Sequence, residues 1–419
     1  MNKRLFLVFT AAAMALAVVL VSCSNPLYPA GDGSLMGEKG LEGIRPTVVE
    51  QLAEIQQYAQ PGTSHTVTAF GDERIHVTQF IHYLGRAGIT VTIRSESGTL
   101  RTLSMAGNGT MFKVQDYDVT LILENIILQG HDGNNHALVT VNPAATLRMN
   151  DGAVIRGNSG HGVFVNGGRL NMVGTLNLED APLITGNASK GVYVNSGHVN
   201  MAGFARIYRN SGGVSLNSGT LTMNDFAGIN GNYNSGGVFM NGSTARLYYR
   251  SGIGGNTSRG GVFGAGGVFA KNSSHIYMFY GTRITNNTNM NTRGGGGVTL
   301  HNSTLNMFSD IEGGFAWGVH GLQILHNHTN NPFGGGVWIE HSSELNMYNG
   351  MIGGHPGSSP VFPNTTTATG IADGGFSSLY IAPGSPSSVA RGVNLTLGTT
   401  PVPNGTSRNN VIQIHNGSW

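Results

Sequence analysis

Hydrophobic positions recur through most of this chain as a three-beat phrase: Val-x-Val, then Leu-x-Met a few residues on, then Ile-x-x-Asn. It is clearest in Val163-Phe164-Val165, Leu170-Asn171-Met172 and Ile184-Thr185-Gly186-Asn187. The phrase returns as Val192-Tyr193-Val194, Val199-Asn200-Met201 and Ile207-Tyr208-Arg209-Asn210, then as Val214-Ser215-Leu216, Leu221-Thr222-Met223 and Ile229-Asn230-Gly231-Asn232. Later copies begin at Val238, Val268, Val298 and Val337, with second beats read at Leu247, Ile276, Leu305 and Leu345. Each beat alternates apolar, variable, apolar, which is what a short strand with one buried face requires. Three such strands per repeat, joined by Gly, Asn and Ser corners, make one rung of a parallel β-helix, and a repeat of this length stacks on itself. With neighbouring strands ~4.8 Å apart, about a dozen rungs predict a rod of roughly 55 to 60 Å.

The pattern breaks at the N-terminus. Met1 to Arg4 carries positive charge, and Leu5 to Val21 is apolar or small, ending at Leu20-Val21-Ser22-Cys23. That run is short for a membrane span and has the layout of a secretory signal, so residues 1–22 are expected to be removed. Residues 23–45 lack periodicity and are rich in Gly and Pro, which suits a flexible tether. Residues 46–74 are expected to cap the stack. Within them Pro46 opens a helix over 47–59, whose Val48, Val49, Leu52, Ile55 and Tyr58 share one face, with Gln60-Pro61-Gly62 as the stop. Exposed terminal rungs carry unpaired strand edges, and such a helix would hide them. Residues 75–419 are assigned to the β-helix.

Composition agrees with the pattern. Glycine, 65 of 419 residues, supplies left-handed corners. A formal net charge of +2 with no concentrated Lys/Arg run gives no support to nucleic-acid binding. Cys23 is the only cysteine, which excludes a disulfide framework and a Cys-based metal site.

Two resemblances carry further expectations. Leu20-Val21-Ser22-Cys23 resembles the lipobox of bacterial lipoproteins, which implies lipidation of Cys23 and an exported protein anchored in a membrane. Ser24 after it leans toward the outer membrane or cell surface by the sorting rule of enteric bacteria. The Leu121-Ile122-Leu123-Glu124-Asn125 segment and the Gly-Gly-Val and Ile-x-Gly-Asn rungs resemble the passenger repeats of polymorphic outer-membrane adhesins. More broadly they resemble right-handed parallel β-helix proteins of the pectate-lyase-like fold. The likeness covers roughly residues 75 to 415 and implies a fold rather than an activity. No series of long amphipathic strands for an autotransporter barrel precedes Trp419, so the lipid would replace the barrel as anchor.

Pectinolytic β-helices cluster acidic residues for calcium or acid/base work. The acids of these rungs, Asp151, Glu179, Asp180, Asp225, Asp310, Glu312, Glu340 and Glu344, are scattered. Ser159-Gly160-His161-Gly162 resembles the Gly-His-Gly motif of polygalacturonases, but the same slot holds Lys190-Gly191, Gly212-Gly213 and Gly236-Gly237 in neighbouring rungs, so His161 reads as a corner residue. His320, His326, His328, His341 and His355 crowd two repeats with irregular spacing, and read as loop composition rather than a metal centre. Asn158, Asn187, Asn210, Asn232, Asn256 and Asn287 align from rung to rung, where stacked amides satisfy corner backbone groups.

If Val163 and Val165 point inward, Phe164 points out. The same logic puts Tyr193, Ser215, Phe239, Phe269, Thr299, Trp338 and Tyr380 in one outward row. The row on the second strand, read as Arg148, Asn171, Asn200, Thr222, Tyr248, Tyr277, Asn306 and Asn346, is mainly polar. Connections after Asn256, Asn287 and Asn327 lengthen, and are expected to raise a wall beside the aromatic row. The expectation is therefore an all-β, right-handed, single-stranded parallel β-helix with three short strands per rung and a short N-terminal capping helix. It would be a surface-anchored, non-catalytic adhesin or ligand-binding rod without a cofactor, taking a glycan or an extracellular protein on Phe164, Tyr193, Phe239, Phe269, Trp338 and Tyr380. A polysaccharide lyase or hydrolase on the same fold, and a purely structural coat protein, are the alternatives, and for the row itself the alternative is that the rings pack under the connecting loops.

Overall fold

The computed structural model describes residues 45–175, 177–308, 322–330, 334–347, 351–352, 365–366 and 379–381. The described chain coils into a right-handed parallel β-helix. Each turn lays down one strand on each of three parallel sheets, and each sheet is eleven-stranded. One rung runs Val163–Asn166, Arg169–Val173, Leu183–Thr185, and the next runs Lys190–Asn195, His198–Ala202, Arg206–Tyr208. The three sheets are named here by their inward residues: the Val, Met and Ile sheets.

Register follows the phrase. Val163, Val192, Val214, Val238, Val268, Val298 and Val337 are successive partners in the Val sheet, and none is more than 2% exposed. Met149, Met172, Met201, Met223, Leu247, Met278 and Met307 stack likewise in the Met sheet. Ile155, Ile184, Ile207, Ile229, Ile253, Ile284 and Ile324 form the third ladder. All three ladders belong to one continuous core, and fully burying each such side chain contributes about 1.5–3 kcal/mol. One beat is corrected: Leu247 pairs with Met223, so the second beat there is Ala245-Arg246-Leu247 and the outward residue is Arg246, not Tyr248. Ala245 is a weak hydrophobe in a slot otherwise held by Leu, Val or Ile, which is why the pattern points to Leu247 as the start.

The helix spans Val48–Tyr58, and a capping box joins Thr47 and Glu50. Val48 and Leu52 enter the core, whereas Tyr58, assigned to the same face, is 65% exposed. Side chains from the coil hold both helix ends. Glu73 accepts from the Val48 N–H at 2.9 Å, and Arg86 donates to the carbonyls of Gln56 and Ala59 at 2.6 and 2.7 Å. An acid at the start and a base at the end complement the helix dipole. The coil itself begins at Ser64, inside the segment 46–74 expected to act only as cap: Ser64–Ala69, Glu73–Ile75 and Gln79–Ile81 open the three sheets.

At the corner after the Ile sheet the chain must turn sharply. The residue before each buried Asn has a left-handed φ: Gly186 at 64°, Arg209 at 54°, Gly231 at 60°, Gly255 at 64°, Asn286 at 58°. That turn aims the following Asn inward, where Asn158, Asn187, Asn210, Asn232, Asn256 and Asn287 are at most 1% exposed. From Asn187 onward each accepts, at Oδ1, the backbone N–H of the Asn one rung earlier: the Asn187 N–H donates to Asn210 at 3.1 Å and the Asn210 N–H to Asn232 at 2.9 Å. From Asn210 onward each Nδ2 donates to a preceding Ile carbonyl, as in Asn232 to Ile207 and Asn256 to Ile229. Asn134 and Asn327 extend the ladder at its two ends. The Gly before the Val is required by close packing against this ladder: a Cβ on Gly191 would lie 2.6 Å from Ile207 Cγ2 and 2.8 Å from Asn210 Nδ2.

Candidate functional site

The outward row of the Val sheet is one continuous column. Phe164, Tyr193, Ser215, Phe239, Phe269, Thr299, Trp338 and Tyr380 are consecutive register partners. The fold therefore brings all six predicted aromatic positions onto one line. Cys23 lies outside the described residues, as do His320 and His355.

The column divides into two environments. Phe164, Tyr193, Phe239 and Phe269 are half-buried, with Ser215 buried between Tyr193 and Phe239. Phe164 and Tyr193 pack with ring centres 5.6 Å apart, and Phe239 meets Phe269 edge-on at the same distance. Lys271 Nζ sits 5.2 Å from the Phe239 ring centre. An amide rail runs beside the rings. Asn195 donates to Asn166, Asn241 to Asn217 and Asn272 to Asn241, and Asn217 Nδ2 donates to the Tyr193 hydroxyl at 2.8 Å. His161 stacks on Tyr193 with centres 5.1 Å apart and planes 6° off parallel. Its Nδ1 accepts the Lys190 N–H, so the proton of the neutral ring is on Nε2. Burial, and then the neighbouring Lys190 charge, hold the His161 pKa below its ordinary value. Burial likewise lowers that of Lys190.

Beyond Phe269 the row is roofed, and Trp338 as an exposed stacking residue is corrected: it is only 5% exposed. The lengthened connections form a fourth parallel sheet, Thr257–Ser258, Thr288–Asn289, His328–Thr329 and Thr365–Thr366. Thr299 Oγ1 donates to the Gly264 carbonyl of this roof at 2.7 Å and accepts the Gly295 N–H at 2.8 Å. Gly334, at φ 75°, closes over the indole so tightly that a Cβ there would meet Trp338 Cε3 at 3.1 Å. The predicted wall thus covers the row instead of flanking it. The strand Leu379–Ile381 carries Tyr380 into register with Trp338.

Under the roof lies the most concentrated chemistry of the described residues. Glu340, 1% exposed, accepts from His301 Nδ1 at 2.9 Å through Oε1 and from Trp338 Nε1 at 3.2 Å through Oε2. Arg293 Nη2 stands 3.7 Å from Oε2, its guanidinium lying over Phe263. The His341 ring centre is 4.0 Å from that of His301. Among the described residues, one group of three His, Asp or Glu side chains brings its ligand atoms within 4.8 Å of one another: His301, Glu340 and His341. Sequence reading passed over this group because His301 lies one rung before Glu340 and His341, and only His341 fell in the crowded histidine stretch.

Three further carboxylates are held by structural contacts. Glu124, Asp151 and Asp180 line a shallow cleft with Arg148. There Glu124 accepts from Asn150, Asp151 from the Thr175 N–H and Asp180 from Asn177. The Met sheet, whose outward row reads as mainly polar, also carries an aromatic cluster. Tyr248, Phe279 and Phe308, each following an inward Leu or Met, stack at 4.4 and 5.5 Å, and Tyr277 lies against Phe308 with Arg246 over its face. The signal was an aromatic immediately after the second beat.

No protein-family model matches the chain, and no curated protein is significantly similar to it. The likeness to adhesin passengers and to lipoproteins therefore stands on the residue pattern alone.

Proposed function

We propose that the protein is an exported, lipid-anchored and non-catalytic binding protein, adhesin-like in its use of a β-helix, that takes an extended glycan or an extracellular protein segment along the Val sheet. The observation that carries this reading is the half-buried row Phe164, Tyr193, Phe239 and Phe269, in register and flanked by the Asn166, Asn195, Asn217, Asn241 and Asn272 amides. Aromatic faces take the apolar side of a sugar ring and neighbouring amides take its hydroxyls. Tyr193 and Phe239 are two rungs apart, roughly 10 Å, so an extended chain can rest on both rings. Lipidation of Cys23, behind the apolar run Leu5 to Val21, would hold the coil at an outer-membrane or cell surface by way of the tether 23–45.

The test is a glycan array and a panel of extracellular-matrix proteins probed with the full chain carrying Cys23→Ser. A Phe239→Ala/Phe269→Ala double variant is expected to weaken the ligands captured about tenfold, two ring contacts contributing about 1 kcal/mol each at most. Unchanged affinity in that variant, or no ligand retained by the parent, would overturn the reading.

A further inference from the structure

The repeats provide an internal comparison of what each slot of the fold requires. The third residue after the inward Val is Asn166, Asn195, Asn217 and Asn241 in successive rungs, then Lys271, His301 and Glu340. The residue after it takes a left-handed φ in every one of these rungs, as in Ser196, Ser218, Gly242, Asn272 and Asn302, and finally in His341 at 57°. Small residues and Asn meet the needs of that corner. Nothing in the rung geometry asks for a carboxylate or an imidazole. Yet two adjacent rungs replace amides with His301 and Glu340, and the corner beside them holds His341. All three side chains converge, with one ligand atom each within 4.8 Å of the others.

Burial makes the carboxylate costly, and the Arg293 charge 3.7 Å away offsets part of that cost. Glu340 is 1% exposed, and a buried carboxylate is tolerated only with compensating charge and hydrogen bonds. Its two oxygens receive one His301 proton, one indole N–H and the Arg293 guanidinium at 3.7 Å, too long for a hydrogen bond. We propose that His301, Glu340 and His341 bind a transition-metal dication of the zinc type. Two imidazoles and one carboxylate are a donor set suited to zinc, which needs such ligand atoms about 3.3 Å apart at tetrahedral geometry. Binding at His301 Nδ1 displaces the proton it shares with Glu340, which moves to Nε2 in a neutral ring and to solvent from an imidazolium. The metal ties two consecutive rungs to each other beneath the roof. A fourth coordination position remains for water or for a donor atom of a partner. This site is independent of the glycan reading, since none of its residues belongs to the half-exposed aromatic row.

The experiment is zinc titration of the chelator-stripped full chain carrying Cys23→Ser, in competition with a chromogenic chelator, with cobalt absorption as a spectroscopic check. The parent is expected to bind one zinc equivalent more than a His301→Ala/His341→Ala variant, with micromolar or tighter affinity, and to melt at a higher temperature with zinc than without. His341 is exposed, so His341→Ala alone tests the site with little risk to folding, and it should weaken zinc binding at least tenfold. Equal zinc stoichiometry and affinity in parent and double variant would overturn the proposal. Unchanged affinity in Glu340→Gln would overturn the assignment of the carboxylate as a ligand.

Discussion

Replacing Asn232 by Ala removes one amide from the middle of the buried ladder, and the loss can be followed atom by atom. Asn232 Oδ1 accepts the Asn210 N–H at 2.9 Å and Asn210 Nδ2 at 3.2 Å, and its Nδ2 donates to the Ile207 carbonyl at 3.3 Å and Asn256 Oδ1 at 2.8 Å. Asn210 Nδ2 has other acceptors in the carbonyls of Ile184 and Tyr208. The Asn210 backbone N–H loses its acceptor, at a side chain 0% exposed, and each such orphan costs about 1–3 kcal/mol. With the weakened Ile207 carbonyl and a small void, Asn232→Ala should cost roughly 2–4 kcal/mol. Asn241→Ala, on the half-exposed rail, severs only amide-to-amide bonds to Asn217 and Asn272 and should cost less than about 1 kcal/mol. Asn232→Asp should be worse than Asn232→Ala at neutral pH, because a carboxylate there faces the Asn256 Oδ1 and Ile207 oxygens. Its carboxyl pKa would rise on folding, so that excess penalty should shrink as pH falls toward the unfolded carboxyl range near ~4. Urea unfolding followed by circular dichroism, with amide exchange in the flanking rungs, measures all three. Equal midpoints for Asn232→Ala and Asn241→Ala would refute the structural role given to the ladder.

Trp338→Ala is expected to lower stability by about 3–5 kcal/mol, as for a large ring removed from a core, and Phe269→Ala to lower it much less; a ligand effect from Trp338→Ala without a fall in melting temperature would contradict the roof. Cys23→Ala should move the protein from the membrane fraction to the soluble fraction, and unchanged partition on fractionation would remove the anchor. His161 is held below its ordinary pKa by burial and by Lys190, so its neutral form belongs to the fold. Its contribution is complete above the unfolded histidine range near ~6.5 and is lost as pH falls through the lowered folded value. Melting temperature should therefore fall between neutral and mildly acid pH by less in His161→Gln than in the parent, and parallel curves would exclude this source.

The spacing of apolar residues determined the coil. An inward residue must recur at every second position of a strand and at the same place in every turn, so three beats per repeat leave few ways to bury Val163, Leu170 and Ile184 together. The same periodicity placed the aromatic row and the Asn ladder, because stacked parallel strands repeat their register rung after rung. It failed at Ala245, where a small residue weakened the beat, and at Ser64, where strands begin inside a segment without the later phrase. What the sequence could not decide was which outward residues see water. Trp338 and Phe269 occupy equivalent slots, yet the roof from the later connections covers one and leaves the other half open. That roof pairs Thr257, Thr288 and His328, residues 31 and 40 positions apart, whose short stretches carry no alternation to announce a strand. The meeting of His301 with Glu340 and His341 is likewise a product of stacking. His301 stands a whole turn of chain before the adjacent Glu340 and His341, and only the parallel register of Val298 on Val337 brings the three side chains within reach of one another.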